Sequence, residues 1–302
     1  RVNGACGRVA WVFNLSERLL HAQPRETRHG GRFYIICGFS QQSAFHMLHQ
    51  IIIISRFVIL EAWRTRLPWI IVTALAVAAG ISMFVKELAI TESNRVEVAF
   101  LAELARLSGV FITALYVVST MAREFNDRVA DLTLSLELPR ASYVLGKLVG
   151  YGTVTIAISV AAGMLLLPFA HGTGLLTWTL SLVLELWVVV ALSLFCIITF
   201  NQVMPAASFV LAFYVLARSV GAMQLIGSSP LLSNEGLTHR FTQGLLNALA
   251  YALPGLDRFT QTSWLADGGA NLGSVGIALG QTVVYVLLLV AAALFDFHRK
   301  NF

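Results

Sequence analysis

Residues 175–200 read LLTWTLSLVLELWVVVALSLFCIITF, and Glu185 is the only charged residue among them. A helix of about 20 apolar residues is long enough to cross the hydrocarbon core of a bilayer. Backbone groups in that core must find hydrogen-bond partners within the protein, and a continuous helix provides them. The stretch therefore predicts a transmembrane helix and places the chain among integral membrane proteins.

Five more apolar runs of similar length accompany this stretch. The predicted spans lie at about 69–90, 98–121, 148–170, 175–200, 203–226 and 275–295. Only 12% of the residues are charged, whereas soluble domains carry about 25%. The sequence therefore predicts an all-α integral membrane protein with six transmembrane helices, and the even number places both termini on one side.

The distribution of basic residues orients the predicted bundle, because cytoplasmic loops are enriched in Lys and Arg. Cytoplasmic termini place nine basic residues inside: Arg56, Arg64, Arg66, Arg123, Arg128, Arg140, Lys147, Arg299 and Lys300. Four then lie outside: Lys86, Arg95, Arg240 and Arg258. We expect a multi-pass protein of the inner (cytoplasmic) membrane, with both termini in the cytoplasm.

The first 46 residues differ from the rest of the chain. They are basic, lack a long apolar run, and precede Met47, where the first sustained hydrophobic pattern begins. We expect residues 1–46 to be a disordered leader, or an upstream translation with Met47 as the true start. The alternative is a genuine basic cytoplasmic extension. The charges after residue 46 are scattered over loops, so the basic net charge does not indicate nucleic-acid binding.

Residues Met47–Leu67 precede the first predicted span and mix apolar with charged side chains. An amphipathic helix of this kind lies along a membrane surface and keeps its charges in water. Pro68 favours a break before the span. We therefore predict an N-terminal interfacial helix; the alternative is the cytoplasmic end of one long first span.

The most informative segment joins the second and third predicted spans, and residues 122–147 read AREFNDRVADLTLSLELPRASYVLGK. Its apolar residues recur at helical spacing, its charges cluster mostly on the other side, and Pro139 ends the pattern. A loop that only reverses direction needs a few residues, yet this one has about 25. The pattern predicts a rigid cytoplasmic helix through which a partner protein moves two spans.

This segment resembles the first cytoplasmic loop of ABC-2 type permeases, in its Glu-Phe, its Asp-Arg and its Leu-x-Leu-Pro-Arg-x-x-Tyr-x-x-Gly-Lys pattern. The order of elements matches over residues 47–302, and the motif over 123–150. The resemblance implies an ABC-2 transmembrane domain whose coupling helix, Glu124–Leu136, docks on a nucleotide-binding subunit. The residues it assigns to ATPase coupling are Arg123, Glu124, Phe125, Asp127, Arg128, Asp131, Leu132, Leu136, Pro139, Arg140, Gly146 and Lys147.

The chain has no phosphate-binding loop, since Gly146-Lys147 follows a helix and lacks the upstream glycine. The resemblance therefore implies a non-enzymatic transport subunit, with ATP and Mg²⁺ bound by a separate ABC ATPase subunit. Six spans are half of the usual transporter in that family, which implies a second permease copy, as a homodimer or a heterodimer. No metal-ligand motif occurs, and the transported substrate stays open between lipid, glycan, drug, peptide and haem-related cargo.

Two charged residues interrupt the predicted fourth and fifth spans. Glu185 and Arg218 lie at similar depth, so they are able to pair. They line a translocation path or form a buried structural pair, and both readings stay open. Glu103 and Arg106 are three residues apart and are expected to pair on one helix. Gly146-x-x-x-Gly150 permits close helix contact, including a contact between two copies of the chain.

The segment 227–274 is long for a connection and is predicted to form short outer helices before the last span. Residues 243–253 have an amphipathic pattern that Pro254-Gly255 ends, and Trp264 is expected to anchor at the outer interface. Two classes of function remain for the chain. The first is the permease of an ATP-driven exporter, and the second is an ATP-independent secondary transporter or channel.

Overall fold

The computed structural model describes residues 34–88, 93–127, 140–169, 172–227, 244, 253–256, 259, 261, 263–266 and 272–299. The chain divides into two compact units, Arg1–Phe45 and His46–Phe302. In the first unit only residues 34–45 are described, and they are helical. The rest of the predicted leader lies outside the described residues.

The described helices are, in chain order, α1 (Tyr34–Arg64), α2 (Leu67–Leu88), α3 (Ser93–Asn126), α4 (Arg140–Leu166), α5 (Thr173–Phe200), α6 (Val203–Gly227), α7 (Ser263–Ala266) and α8 (Leu272–Arg299). Six stretches are long and apolar enough to cross a membrane: Leu67–Glu87, Asn94–Asn126, Ala141–Leu166, Thr173–Phe200, Val203–Gly221 and Val275–Arg299. For the described residues, this confirms the prediction of an all-helical chain with six helices long and apolar enough to span a membrane.

Helix α5 is the centre of the bundle. It contacts α3, α4, α6, α7 and α8, so every other spanning helix except α2 packs against it. Of its most apolar window 72% is buried, compared with 17% for α2. The outer helices expose large apolar side chains such as Phe84 in α2 and Leu287 in α8. An apolar outer surface of this kind suits a bilayer, where the surrounding solvent is itself hydrocarbon.

The second and third spans are longer, or begin earlier, than their hydropathy predicted. The second is Asn94–Asn126 instead of 98–121, and the third is Ala141–Leu166 instead of 148–170. Hydropathy excluded these ends because they carry charges. The structure accommodates the charges in pairs: Lys86 and Glu97 lie 2.8 Å apart, for example, with the Glu97 side chain almost fully buried.

Helix α1 ends at Arg64, three residues before the predicted boundary at Leu67, and a bend at residues 65–66 separates it from α2. Pro68 occupies the first turn of α2, where its missing N–H leaves no hydrogen bond unmade. The described helix begins at Tyr34, thirteen positions before the predicted start at Met47. Within the second unit, α1 buries Val58 and Ala62 but exposes Phe57, Leu60 and Trp63.

Gly146 and Gly150 form the surface of α4 on which α1 packs. A Cβ atom on Gly146 would lie 2.8 Å from Ile54 Cβ, and one on Gly150 would lie 2.7 Å from Val58 Cβ. Neither clash is with the far end of a flexible side chain, because both involve a branched Cβ atom. The small-residue motif that permitted a contact between copies therefore serves a contact within the chain.

The turn between α5 and α6 has only two residues, Asn201 and Gln202. Asn201 has a φ of 55°, and its backbone N–H donates to Ile197 O at 3.0 Å. Asparagine tolerates this left-handed conformation better than most residues, so it closes the helix without glycine. The tight connection keeps α5 and α6 side by side.

We expect Gly150→Ala to loosen the packing of α1 on α4, because the new methyl group overlaps Val58. Overpacking of this kind costs about 1–3 kcal/mol. Unfolding of the purified protein in mixed detergent micelles measures the loss. Gly80→Ala in α2 is the matched control, since nothing lies within 4 Å of a Cβ at Gly80. Equal stability of the two variants would contradict the assigned contact.

Candidate functional site

A buried ion pair joins the end of α3 to the start of α4. Lys147 Nζ pairs with Glu124 Oε1, and the Tyr143 hydroxyl donates to Glu124 Oε2 at 2.8 Å. The side chains of Lys147 and Glu124 are only 8% and 15% exposed. One acidic side chain of α3 is thus held by two residues that lie one turn apart on α4.

Aromatic rings enclose the pair. Lys147 Nζ lies 5.8 Å from the Tyr143 ring centroid and 5.9 Å from that of Tyr151. A cation within about 6 Å of a ring face is stabilised by the ring quadrupole. Tyr143 also stacks on Phe297 of α8, with centroids 6.2 Å apart, and Tyr151 meets Tyr116 of α3 edge to face. These six residues, Glu124, Lys147, Tyr143, Tyr151, Tyr116 and Phe297, are called the Lys147 cluster.

A second ion pair connects α1 to the same end of α3. Arg123 Nη2 lies 3.3 Å from Glu61 Oε1, and the two side chains are 60% and 33% exposed. An exposed pair contributes little to stability. The pair instead holds α1 in position against the last turn of α3, beside the Lys147 cluster.

The structure places the predicted coupling residues at the two ends of the segment. Arg123, Glu124 and Phe125 belong to the last turns of α3, Asp127 follows in a turn, and Arg140 begins α4. The other predicted coupling-helix residues, Arg128, Asp131, Leu132, Leu136 and Pro139, lie outside the described residues.

Residues 124–126 continue α3, and the predicted coupling helix beyond Asp127 lies outside the described residues. Glu124 and Lys147 are bound to each other and largely buried, and Gly146 contacts Ile54. These three residues fix the base of the segment, and Arg123 and Asp127 are its exposed members.

A second charged group lies within the bundle, where Arg218 of α6 meets three partners. Its Nη2 lies 3.6 Å from Glu103 Oε1, and its Nη1 donates to the backbone carbonyls of Leu256 and Phe259. Glu103 also binds Arg106 one turn away on α3, which confirms the predicted pair. Arg218 thus joins α3 and α6 to the segment that precedes α7.

Glu185 of α5 is fully buried and accepts a hydrogen bond of 2.8 Å from the Tyr214 hydroxyl of α6. The guanidinium of Arg106, itself buried, lies within electrostatic reach of Tyr214. The contacts described for Glu185 and Arg218 thus lead to different partners, Tyr214 and Glu103, instead of to each other. We call Glu103, Arg106, Glu185, Tyr214 and Arg218 the intramembrane cluster.

The intramembrane cluster is balanced, with two carboxylates and two guanidinium groups. Glu185 lies about 18 Å along α5 from its first residue, at 1.5 Å per residue. A charge at such depth costs several kcal/mol unless it is paired or hydrated. The cluster therefore stabilises the association of α3, α5 and α6 by satisfying charges that lipid does not solvate.

Arg218 also donates hydrogen bonds to backbone carbonyl groups that lie outside the long helices. Leu253, Leu256 and Phe259 are buried, and α7 packs on α5 and α3. Non-helical backbone near membrane depth is tolerated only where protein or water provides hydrogen bonds. Trp264 in α7 is buried, which corrects the prediction that its ring lies at the membrane interface. The amphipathic pattern at residues 243–253 falls almost entirely outside the described residues.

Sequence reasoning assigned no role to the four tyrosines of these clusters, Tyr116, Tyr143, Tyr151 and Tyr214, and two of them had a local signal. Tyr143 lies four residues before Lys147, and Tyr214 four residues before Arg218, so each shares a helix face with a basic residue. That spacing was a usable signal. The partners across helices, Glu124 and Glu185, carried no such local signal, because they depend on which helices are neighbours.

A scan against protein-family models finds no match for the chain, and a search of curated proteins finds no significant relative. The fold and the buried charge clusters define a multi-pass membrane protein. Within the described ranges, no group of three or more His, Cys, Asp or Glu side chains is arranged to hold a metal ion.

We expect Lys147→Met to destabilise the protein by about 3–5 kcal/mol, because it leaves Glu124 buried and uncompensated. Glu124→Gln in the same chain should restore much of that loss, since the pair is then removed as a unit. Unfolding in mixed micelles measures both effects. Arg299→Met, an exposed charge of α8, is the control. Additive losses in the double variant would show that the two residues do not interact.

We expect Arg218→Met to free Leu256 and Phe259 from the bundle, because their two backbone carbonyls lose their donor while Glu103 keeps Arg106. Hydrogen exchange followed by mass spectrometry should show at least tenfold faster exchange there, which corresponds to about 1.4 kcal/mol. Arg95→Met, at an exposed position of α3, should leave this segment unchanged. Unaltered exchange in Arg218→Met would show that Arg218 does not hold the segment.

Proposed function

We propose that the chain is the membrane-spanning permease subunit of an ATP-driven ABC transporter of the ABC-2 type, working as an exporter. Six apolar helices provide the membrane domain. The observation that carries the proposal is the Lys147 cluster, which lies at the base of the segment that resembles the coupling loop of this family.

The cluster supports a mechanical role because it connects one loop to several helices. Glu124 links α3 to α4, Tyr143 links α4 to α8, and the Arg123–Glu61 pair links α3 to α1. A buried ion pair with aromatic walls resists separation, since parting its members exposes an uncompensated charge. Force applied to residues 124–139 would then move these helices together instead of bending the loop.

In the proposed transporter, separate ABC ATPase subunits bind this loop, and they carry the ATP and the Mg²⁺. ATP binding and hydrolysis in those subunits would switch the spans between inward- and outward-facing states. The chain itself would catalyse no reaction. A second permease copy, identical or related, would complete the translocation path.

The same proposal implies an orientation of the bundle in the membrane. Basic residues at the Lys147 end of the bundle include Arg56, Arg64, Arg66 and Arg123, all exposed. Cytoplasmic segments of membrane proteins are enriched in such residues. The Lys147 end would therefore face the cytoplasm, with both termini there and with α1 along the inner surface. The exposed Phe57, Leu60 and Trp63 would enter the interface.

A second candidate is an ATP-independent secondary transporter or channel, and the intramembrane cluster favours it. Glu185 is a fully buried carboxyl group bonded to Tyr214, and intramembrane acids often serve proton or ion pathways. Transport by the purified chain alone, driven by a proton or sodium gradient, would identify this function. Dependence on a co-purifying ATPase identifies the first.

We expect an ATPase subunit to co-purify with the chain and its retention to depend on the charged residues of the loop. Replacing Asp127, Arg128 and Asp131 by alanine should lower its retention at least tenfold, about the effect of losing one strong interface contact. Quantitative mass spectrometry of the purified complex measures the ratio of the two subunits.

The matched control replaces Glu87, Arg240 and Asp257, which have the same two negative charges and one positive charge and are predicted to lie on the opposite side. It should retain the ATPase fully. Equal retention in both triple variants, or full transport activity without any ATPase, would exclude the proposed coupling.

A further inference from the structure

A groove runs along one side of the bundle between α2, α3 and α6. It consists of two cavities of about 570 Å³ and 630 Å³ that share Phe111 and Ile112 of α3. One reaches the α1–α2 bend at Thr65 and Arg66, and the other extends beside Tyr214 to Ile81. We call these two adjoining cavities the lateral groove.

The chemistry of the lateral groove changes in order along its length. Arg66 and Arg123 line its mouth, at the Lys147 end of the bundle. Hydroxyl groups of Thr65, Ser119 and Thr120 lie at the same end, and the deeper part is lined almost entirely by apolar side chains. Positive charge and hydroxyl groups at one end, with hydrocarbon beyond them, complement an anionic phospholipid.

The charges at the mouth favour a negatively charged ligand. The lining contains two arginines and, among the described residues, no Asp or Glu. Arg66 makes no ion pair within the described part of the chain, whereas Arg123 has the nearby Glu61. An arginine near an anionic membrane surface contributes about fivefold to binding of anionic lipid.

The length of the groove fits an acyl chain. Arg66 and Ile81 are 15 residues apart, or about 22 Å at 1.5 Å per residue. One leaflet of the hydrocarbon core is about 15 Å thick, so a complete acyl chain lies within this distance. We propose that the lateral groove binds one anionic phospholipid from the surrounding bilayer. Its phosphate group lies between Arg66 and Arg123, and an acyl chain lies against Phe111 and Ile112.

A second copy of the chain is the competing occupant. A two-fold symmetric contact places the same patch of both copies together, so the two arginine-lined mouths would meet at the same depth. Like charges in that arrangement repel, because Glu61 pairs with Arg123 but no acid of the described lining compensates Arg66. An anionic lipid covers the same surface without bringing like charges together. The inference does not depend on ATP-driven transport, because binding is measured without an ATPase.

The test uses the full chain with benzoylphenylalanine in place of Phe111, in nanodiscs of equimolar phosphatidylglycerol and phosphatidylcholine. Illumination links the probe to its neighbour, and mass spectrometry identifies the adduct. We expect phosphatidylglycerol adducts to exceed phosphatidylcholine adducts at least fivefold, and Arg66→Gln to lower this ratio about fivefold. A probe at Leu288, exposed on α8, should report the bulk lipid ratio.

Arg56→Gln is the matched control, because Arg56 is an exposed arginine of α1 outside the groove lining. It should leave the adduct ratio at Phe111 unchanged. Cross-linked dimers in place of lipid adducts would assign the groove to a second copy and overturn the proposal. Equal adducts of the two lipids, or the same loss in Arg56→Gln and Arg66→Gln, would overturn it as well.

Discussion

Compensation of charge inside an apolar bundle is the constraint on which this structure depends. Lipid does not solvate ions, so each charge within a span needs a partner of opposite sign, a hydrogen-bonding group or water. Glu97 has Lys86, Glu124 has Lys147, and Glu103 has Arg106 and Arg218. Apolar packing alone discriminates weakly between helix neighbours in a membrane, because lipid tails are as apolar as leucine. The charge pairs therefore specify which helices meet.

The pairs also divide the bundle by depth. Near one end, the Lys147 cluster and the glycine contacts of α4 hold α1, α3, α4 and α8 together. Deeper inside, the intramembrane cluster holds α3, α5, α6 and the residues before α7. Helix α3 belongs to both groups, so a displacement at its Glu124 end is carried along a single rigid helix toward Glu103. This geometry gives the proposed loop movement a route to the interior.

Much of the fold was predictable from hydropathy, because six long apolar runs have no stable alternative to spanning helices. The errors lie where charges are paired. Both ends of the second span and the start of the third were placed too far inside, since Glu97 and Lys147 look like water-facing residues until their partners are known. The sequence pattern also did not predict the partner of Arg218 or the packing of α1 on Gly146 and Gly150. Both depend on which helices are neighbours. A helix that is apolar on all sides gives no local sequence signal of its neighbours.

The two-residue turn at Asn201 has a consequence for how the protein is made. A connection this short keeps α5 and α6 side by side, so we expect them to enter the bilayer together as a helical hairpin. Insertion of α5 and α6 one at a time would bring the charges of Glu185 and Arg218 into the hydrocarbon core singly, which costs free energy. Released together, the helices bring Tyr214 to Glu185 during synthesis, before α8 exists to pack beside them. The most buried helix of the mature bundle is therefore accompanied by its polar partner from the start.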